Sequence, residues 1–352
     1  MAASSVTLYD VAHRAGVSLA TASRALNGSP GRTVGPALKE RVERAAQELG
    51  YTPNAFAQAM VRRRTDLAGL VVHDIADPYF SSVAAGAMGE AERHELLVSI
   101  ASTGRDPRAE LDHVASLRRH RARLIVLVGS RTTDDADDRR LAAELAAFRH
   151  EGGIVVAVSQ PRLGVDTVDI ENRAGARALG RALHDLGYRR CAVLAGPKEL
   201  LTAADRLTGF REAVARRGAP LRPDLVLHGD FTRDGGHAAM RALLAHCAEA
   251  GLQVGTDVDA VFAVNDVMAV GAMTALREAG IALPGPLGVA GFDDIATLRD
   301  VHPPLTTVQV PLEDVGARAV RLALDEPPAR SSDLRVEPVG TTVVLRASTP
   351  AR

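Results

Sequence analysis

The sequence predicts a small all-helical head followed by a larger α/β core with two lobes. In the first 60 residues apolar side chains recur at helical spacing, with almost no β-rich run between them. From Asp66 onward short β-rich runs alternate with helical stretches, which is typical of parallel sheets covered by helices on both faces. A chain of 352 residues is also long enough for two or three compact units.

The two parts differ in charge. Residues 1–65 carry nine basic and four acidic side chains, a net charge of +5, whereas the rest of the chain carries 33 basic and 39 acidic ones, a net charge of −6. A basic head on an acidic body is typical of a polyanion-binding module attached to a sensor.

The composition argues against several classes of protein. Cys191 and Cys247 are too few for a disulfide framework and lack ligand partners at metal-site spacing, so we expect no metal and no cofactor. The N-terminal residues 1–5 lack the pattern of a secretory signal, and no apolar run approaches the roughly 18 residues of a membrane span. We therefore expect a soluble, cytoplasmic protein.

The head has the pattern of a helix-turn-helix. Thr7 and Asp10 can form a capping box at the start of the first helix. Gly16 can adopt the positive φ that the turn requires, and Ser18 can cap the second helix. A third helix is predicted to end at Gly50.

The second helix is predicted to read the major groove of DNA. Arg24 can bond a guanine edge in bidentate fashion, while Leu19 and Ala20 can contact thymine methyl groups. A plain helical hairpin with a solvated face is the alternative. The head residues predicted to contact DNA are Thr7, Ser18, Leu19, Ala20, Thr21, Ser23, Arg24 and Asn27.

The core is predicted to contain eight strands alternating with helices. The strand candidates are Leu67–Val72, Leu96–Ile100, Leu124–Val128, Ile154–Val158, Cys191–Ala195, Leu225–His228, Ala260–Val264 and Gly288–Gly291. Helix candidates include Ala84–His94, Arg173–Leu186, Leu207–Arg217, Gly236–Glu249 and Asp266–Glu278. Two strand–helix series of similar length favour two lobes, and an eightfold α/β barrel is the alternative.

Over essentially its whole length the chain resembles the lactose/galactose repressor family of bacterial transcription regulators. In the head the resemblance is carried by the segments 7–12, 15–18, 23–24 and 49–54. It implies that the segment following helix three folds into a hinge helix in the DNA minor groove.

The resemblance assigns two further DNA-contacting residues to this hinge helix, Asn54 and Met60. Met60 stands where many members have a leucine that wedges into the central base step, and Gln58 stands where many have an arginine. The run Arg62–Arg64 is either a solvated linker or a set of phosphate contacts.

The resemblance also implies a core similar to periplasmic sugar-binding proteins, with an effector in the cleft between two lobes joined by crossing strands. Ligands of open parallel sheets gather at the carboxyl ends of the strands. The residues that match the family's ligand positions are Phe80, Arg206, Phe231, Asn265 and Asp293. For Phe80 the alternative is packing within a lobe, and for Arg206 it is a surface ion pair with a neighbouring aspartate.

Residues at three places in the chain qualify this expectation. Asp266 is expected to cap the helix after Asn265. Ser159 and Gln160 stand where many members have Asp-Arg, which removes a charged ligand contact. Asp293 and Asp294 can also be interpreted as catalytic carboxylates, but adjacent side chains diverge and no nucleophile motif accompanies them, so we expect no catalytic residue.

The predicted domain organisation follows from these assignments. Residues 1–60 form the helix-turn-helix domain with its hinge helix, 61–65 a linker, and 66–352 the effector-binding and dimerisation core. The first lobe is expected at about 66–161 plus 310–328, and the second at about 162–309 plus 329–352.

The sequence thus predicts a sequence-specific, DNA-binding transcription regulator of the repressor type. The family implies a homodimer or tetramer on double-stranded, palindromic operator DNA, controlled by a small-molecule effector, with a sugar or sugar derivative favoured. A transport-type binding protein would need a secretory signal and would have no use for the head. An enzyme would need a site, and the chain has no Gly-rich phosphate loop, Gly-x-Ser-x-Gly elbow or His-Glu-x-x-His motif.

Overall fold

The computed structural model describes residues 6–27, 34–51, 65–325 and 334–352. The chain divides into two compact units, Met1–Thr65 and Asp66–Arg352, which we call the head and the sensor. No helix among the described residues is long and apolar enough to cross a membrane.

In its described part the head consists of three helices around a small apolar core. Their bounds are Leu8–Ala15 (α1), Leu19–Asn27 (α2) and Pro36–Leu49 (α3). The core is mostly alanine, which lets the helices approach closely. Its buried members are Val11, Ala12, Ala15, Ala22, Ala25, Val42, Ala45 and Ala46. The predicted helix-turn-helix is confirmed.

Local interactions fix the helix ends as predicted. The Thr7 hydroxyl accepts the Asp10 N–H while the Asp10 carboxylate accepts the Thr7 N–H, which is a complete capping box. Gly16 and Gly50 end α1 and α3 with φ of 63° and 66°, in the left-handed region that favours glycine. The Ser18 hydroxyl accepts a backbone N–H in the first turn of α2.

The sensor contains two open parallel sheets, one in each lobe. The described strands are Leu67–Val72 (β1), Leu97–Ser102 (β2), Leu124–Val128 (β3), Ile154–Val158 (β4), Asp166–Ile170 (β5), Cys191–Ala195 (β6), Val226–His228 (β7), Ala260–Ala263 (β8), Gly288–Ala290 (β9), Thr307–Gln309 (β10), Val336–Val339 (β11) and Thr342–Val344 (β12). The first sheet has the order β11-β5-β4-β3-β1-β2 and the second β7-β6-β8-β9, with every pair parallel.

Helices cover both sheets. Their bounds are Pro78–Arg93 (α4), Pro107–Arg119 (α5), Asp135–His150 (α6), Asn172–Asp185 (α7), Leu201–Arg216 (α8), Arg233–Glu249 (α9), Asp266–Glu278 (α10) and Leu312–Leu324 (α11), with short 3₁₀ turns at Pro223–Leu225 and Ala296–Asp300. Strands β3, β6 and β8 are buried at every residue, because helices cover both faces of each sheet.

The barrel alternative is wrong. The first sheet ends at two different edge strands, β2 and β11, and the second at β7 and β9, so neither sheet closes on itself. The eight strand candidates belong to two separate sheets.

The lobe boundaries lie further along the chain than predicted. β5 pairs with β4, and β11 pairs with β5, so residues 166–170 and 336–339 belong to the first lobe and not to the second. β5 has the sequence Asp-Thr-Val-Asp-Ile. It was not predicted, because its polar residues interrupt the apolar run by which the other strands were recognised.

Several elements differ from the expectations. The helix candidate at Leu207 begins six residues earlier, at Leu201, so that Arg206 lies inside α8 and not before it. The start of the candidate strand Leu225–His228 is part of a 3₁₀ turn. Helices α5, α6 and α11 were not among the candidates.

The crossover between the lobes contains a small antiparallel pair, β10 with β12, and helix α11 follows β10 along the chain. Helix α11 returns to the first lobe and packs against α4 at close range. Gly86 lies against the Glu313 carbonyl oxygen and Gly316 against that of Val83, so that a side chain at either glycine would overlap backbone. Two glycines therefore set the distance between these helices.

Candidate functional site

A cleft lies between the lobes at the carboxyl ends of their strands. His73 follows β1, Asn265 follows β8 and Asp293 follows β9, in keeping with the rule for ligand sites in open parallel sheets. The cleft is lined by His73, Asp77, Tyr79, Phe80, Arg105, Ser130, Leu200, Thr202, Arg206, Phe231, Asn265 and Asp293. All five residues predicted to contact an effector are brought together here.

Arg206 is the buried centre of this cleft, with only 2% of its surface exposed. Its Nε donates to Asn172 Oδ1 at 2.8 Å, Nη1 to the Val264 carbonyl at 2.8 Å and Nη2 to Asp293 Oδ1 at 2.7 Å. The guanidinium stacks 3.8 Å from the ring centroid of Phe292. The interpretation as a surface ion pair is wrong, and two of the five guanidinium N–H donors remain for a ligand.

Asp293 connects the cleft to the crossover between the lobes. Burial raises the pKa of its carboxyl to about 7, although Arg206 acts in the opposite direction. Its N–H donates to the Val308 carbonyl, and its own carbonyl accepts from the Val310 N–H. Asp293 is therefore hydrogen-bonded directly to the segment that joins the lobes.

Asn265, and not Asp266, caps helix α10. Asn265 Oδ1 accepts the Met268 N–H at 2.9 Å, which leaves the side-chain NH₂ to donate into the cleft. Asp266 is the first residue of the helix and accepts from the Thr307 hydroxyl at 2.6 Å and the Ile295 N–H at 3.1 Å. The prediction that Asp266 caps the helix is wrong.

The two predicted aromatic residues lie on opposite lobes. Phe80 is on α4 of the first lobe, with its ring centroid 5.6 Å from that of His73 and 5.0 Å from that of Tyr79. Phe231 precedes α9 of the second lobe and packs against Gly196. Aromatic faces on both sides suit the C–H face of a flat or cyclic ligand.

Gln160 joins the lobes next to the cleft. Its Oε1 accepts the Arg131 N–H at 2.8 Å and its Nε2 donates to Thr202 Oγ1 at 3.0 Å. The Thr202 N–H in turn donates to Ser130 Oγ at 3.0 Å. The neutral residue at 160 therefore forms part of a hydrogen-bonded contact between the lobes.

The lobes are closed on each other in this arrangement. The inner part of the cleft has a free volume of about 40 Å³, far below the roughly 300 Å³ at which ligand pockets begin. An outer compartment, which we call the vestibule, has about 330 Å³ and shares Asp77, Arg105 and Phe231 with the inner part. A ring-sized ligand therefore needs the lobes to separate before it reaches Arg206.

Asp293 and Asp294 face different cavities. Asp294 lines a separate open cavity of about 560 Å³ at the crossover, where Arg346 Nη2 lies 2.7 Å and Gln309 Nε2 3.0 Å from its carboxylate. None of the predicted effector residues lines that cavity. The two carboxylates do not form a pair.

Sequence reasoning missed several polar residues of the cleft, notably His73, Arg105 and Ser130. His73 and Ser130 follow strands β1 and β3 directly or within two residues, so the rule that ligands gather after strand ends was a sufficient signal for both. Burial, with help from Arg131 and Arg105, lowers the pKa of His73 to about 3, so its imidazole is neutral.

In the head, the face of α2 that was predicted to contact DNA is accessible to solvent at Leu19 and Ala20. Leu19 is 50% exposed and Ala20 is exposed, while Ala22 and Ala25 are buried. Arg24 lies along this face, where its Nε donates to the Ala20 carbonyl at 3.0 Å.

The remaining predicted DNA contacts are placed as follows. Thr7 and Ser18 cap α1 and α2, Thr21 bonds the Ser18 hydroxyl at 2.8 Å, Ser23 is half-buried on α2, and Asn27 ends that helix. Asn54, Met60 and the proposed hinge helix lie outside the described residues, as do Gln58 and Arg62–Arg64.

The fold and the two sites define a class of protein: a DNA-reading helix-turn-helix joined to a two-lobed, ligand-binding sensor. Comparison with known proteins agrees. Residues 7–54 match the model of the bacterial regulatory proteins of the lacI family, and residues 181–349 match that of a periplasmic binding protein-like domain. The chain belongs to the lacI family.

Relatives of known function support this assignment. The transcriptional regulator CelR of Thermobifida fusca is 36% identical over 91% of both chains, and the transcriptional repressor CytR of Escherichia coli K12 is 32% identical over 98% of this chain and 96% of that one. The lac repressor dimer bound to operator and an anti-inducer superposes with a TM-score of 0.82 at 25% identity, covering 99% of this chain and all of the other. A CelR–cellobiose complex gives 0.69 at 32% identity, covering 97% and 99%.

Proposed function

We propose that this protein is a transcription repressor that binds a palindromic operator as a homodimer and responds to a sugar or sugar derivative. The observation that carries the proposal is the joint presence of an exposed α2 face in the head and, in the sensor, a cleft where Arg206, Asn265 and Asp293 converge. Similarity to the repressor CytR supports the proposed repressor function, and similarity to the CelR–cellobiose complex supports a sugar effector.

The DNA-reading residues lie on and beside α2. Arg24 offers a planar fork for the O6 and N7 atoms of guanine, once it leaves the Ala20 carbonyl. Leu19 and Ala20 contact thymine methyl groups, while the hydroxyls at 18, 21 and 23 and the residues Asn54 and Met60 complete the contact to phosphates and the minor groove. Two copies of this helix on a dimer read the two halves of a palindrome.

The dimer is proposed to form on the outer face of the first lobe. The edge strand β2 exposes Leu97 at 73% and Ile100 at 39%, and Met88 on the neighbouring helix α4 is 44% exposed. Exposed apolar side chains on a sheet edge are a typical interface signal. The lac repressor structure that matches this chain is described as a dimer on its operator.

The effector acts through linkage between the cleft and the head. A ligand held by Arg206, Asn265 and Asp293 changes the preferred closure of the lobes, and the bonds from Asp293 to residues 308 and 310 pass this change to the crossover. The ligand can alter operator affinity only as far as its affinity for the two arrangements differs.

The protein is proposed to act in the cytoplasm and not as an enzyme. The two adjacent aspartates, the strongest candidates for catalytic carboxylates, are held by Arg206 and Arg346 in separate cavities. The relatives are named as transcription regulators.

The proposal is tested by a panel of sugars and sugar derivatives on the purified chain. At least one member is expected to raise the Tm and to change the affinity for operator DNA. The variant Asn265→Ser keeps an oxygen that can cap α10 but loses the amide donor, so it should lose both ligand effects and retain operator binding. Unchanged ligand affinity in this variant removes Asn265 from the site, and a panel without any effect contradicts a sugar effector.

A further inference from the structure

Arg105 stands where all compartments of the cleft meet. It lies in the loop after β2, held in a left-handed conformation with φ of 65° while its N–H donates to the Thr103 hydroxyl. Its side chain lines the inner cleft, the vestibule and a side pocket that contains Glu110 and Arg131. A ligand in any of the three compartments is within its reach.

Arg105 differs from the other arginines of the cleft in its partners. Arg206 is paired with Asp293 at 2.7 Å, and Arg131 forms two bonds of 2.9 and 2.7 Å with Glu110. Among the described residues no carboxylate oxygen lies within 4 Å of the Arg105 guanidinium. Its contacts are with Phe231, at 5.8 Å from the ring centroid and 3.4 Å from the carbonyl oxygen.

The acidic residues that line the vestibule and the side pocket have partners other than Arg105. Asp74 and Asp106 accept the N–H groups of residues 76 and 108, Glu110 and Asp138 face Arg131, and Asp137 faces Arg140. Asp77 lies near enough for Arg105 to act on its pKa, but its Oδ1 accepts the Tyr79 N–H and burial outweighs the effect of Arg105. His73 is neutral, so it offers hydrogen bonds and no charge. Arg105 is therefore a cation without a carboxylate within 4 Å among the described residues, in a cleft where Arg206 and Arg131 are each paired with a carboxylate.

We propose that the effector is a sugar derivative that carries an oxyanion, a carboxylate or a phosphate, and that Arg105 is the residue that selects it. This inference rests on the proposed function. Hydroxyls of the sugar bind Asn265 and Arg206 in the inner cleft. The oxyanion binds the Arg105 guanidinium and displaces it from the ring of Phe231.

Replacement of the Arg105–Phe231 contact by a contact between Arg105 and the ligand favours an anionic ligand over a neutral one. A guanidinium forms two parallel, charge-assisted hydrogen bonds with a carboxylate or phosphate, which are stronger than its contact with an aromatic face. A neutral hydroxyl offers no comparable replacement. Because Arg105 and Phe231 belong to opposite lobes, the exchange also releases one of the contacts between them.

The test is a calorimetric titration of the full chain with matched pairs of probes: glucose with glucuronate, galactose with galacturonate, and glucose with glucose 6-phosphate. At least one acidic probe is expected to bind about tenfold or more tightly than its neutral partner, and more weakly at high salt. Arg105→Gln should abolish that preference. Arg108→Gln removes the same charge from an exposed position three residues away and should retain it.

Each outcome decides the inference. Preference for uronates identifies a carboxylate, and preference for the phosphate identifies a phosphoryl group. Equal binding of neutral and acidic partners, no binding of any acidic probe, or a preference that survives Arg105→Gln overturns it. Operator binding is measured on the same preparations, so that a failure of the proposed function shows as loss of operator recognition, independently of the probes.

Discussion

The buried pair of Arg206 and Asp293 governs the inner cleft. Three hydrogen bonds fix the orientation of the Arg206 guanidinium. Its two remaining N–H donors are therefore oriented before a ligand binds. Fixing a recognition group in advance reduces the entropy that binding would otherwise lose.

The raised pKa of Asp293 predicts a pH-dependent stability. The native state binds this proton more readily than the unfolded chain, whose carboxyl has an ordinary pKa of 3.8, against about 7 in the fold. The contribution of this group to the free energy of unfolding therefore falls as the pH rises from about 4 to about 7, and is constant above. Asp293→Asn, which retains an acceptor for Arg206, should remove this slope.

Urea unfolding of both proteins at pH 5 and pH 7.5 measures the effect. The stability of the native protein relative to the variant should fall by about 1 kcal/mol or more between the two values. A difference that does not change with pH would mean that Asp293 is ionised throughout this range.

Arg24 is predicted to carry sequence discrimination. Arg24→Ala should reduce the preference for operator over random DNA by about 1–3 kcal/mol per half-site while retaining most of the salt-dependent, non-specific binding. Arg41→Ala on α3 removes the same charge and should retain the preference. Fluorescence anisotropy with both DNAs at several salt concentrations gives the comparison, and full discrimination by the Arg24 variant would contradict the assigned role.

Single residues were predicted unevenly. The five candidate effector residues were predicted from the family resemblance, and they do lie together in one cleft. The capping box was predicted from a local motif, whose geometry is determined by neighbouring residues. The hydrogen-bond partners of Arg206 could not be predicted from a local motif, because Asn172 and Asp293 lie 34 and 87 residues away in sequence. The importance of Arg105 depends on what surrounds it in three dimensions.

The packing of α4 against α11 is sensitive to added side-chain volume, because glycines lie at the contact. Gly86→Ala places a methyl group against the Glu313 carbonyl and should destabilise the sensor by about 1–3 kcal/mol. Gly89 lies on the same helix with open space around its Cα, so Gly89→Ala should be neutral or stabilise by up to about 1 kcal/mol through helix propensity. Thermal and urea unfolding of both variants decide the point, and equal effects would contradict this packing.

Elements with a regular apolar pattern were predictable, and polar ones were not. The all-apolar strands β3 and β6 were predicted with correct bounds, whereas β5 contains the half-buried Asp166 and Asp169 among its buried residues and was missed. Its position at β4 depends on tertiary pairing, which local sequence does not encode. The lobe boundary was misplaced for this reason.

The whole molecule is proposed to work as a dimer, and the exposed edge strand β2 gives a direct test. Leu97→Asp places a charge at the centre of the proposed interface and should convert the dimer to a monomer in sedimentation experiments. Leu345→Asp changes another exposed leucine, which follows β12, and should leave the dimer intact. A dimer that tolerates the change at Leu97 has its interface elsewhere.

The two lobes and the head together imply that DNA reading and ligand binding belong to one regulated molecule. The selection of duplexes by the purified chain from a random DNA pool tests this most directly, because it requires both the α2 face and a dimer. We predict enrichment of a palindrome of roughly 14–20 base pairs, with half-sites spaced by about one helical turn. Enrichment of an asymmetric site would contradict the dimer, and no enrichment at low salt would contradict sequence-specific regulation.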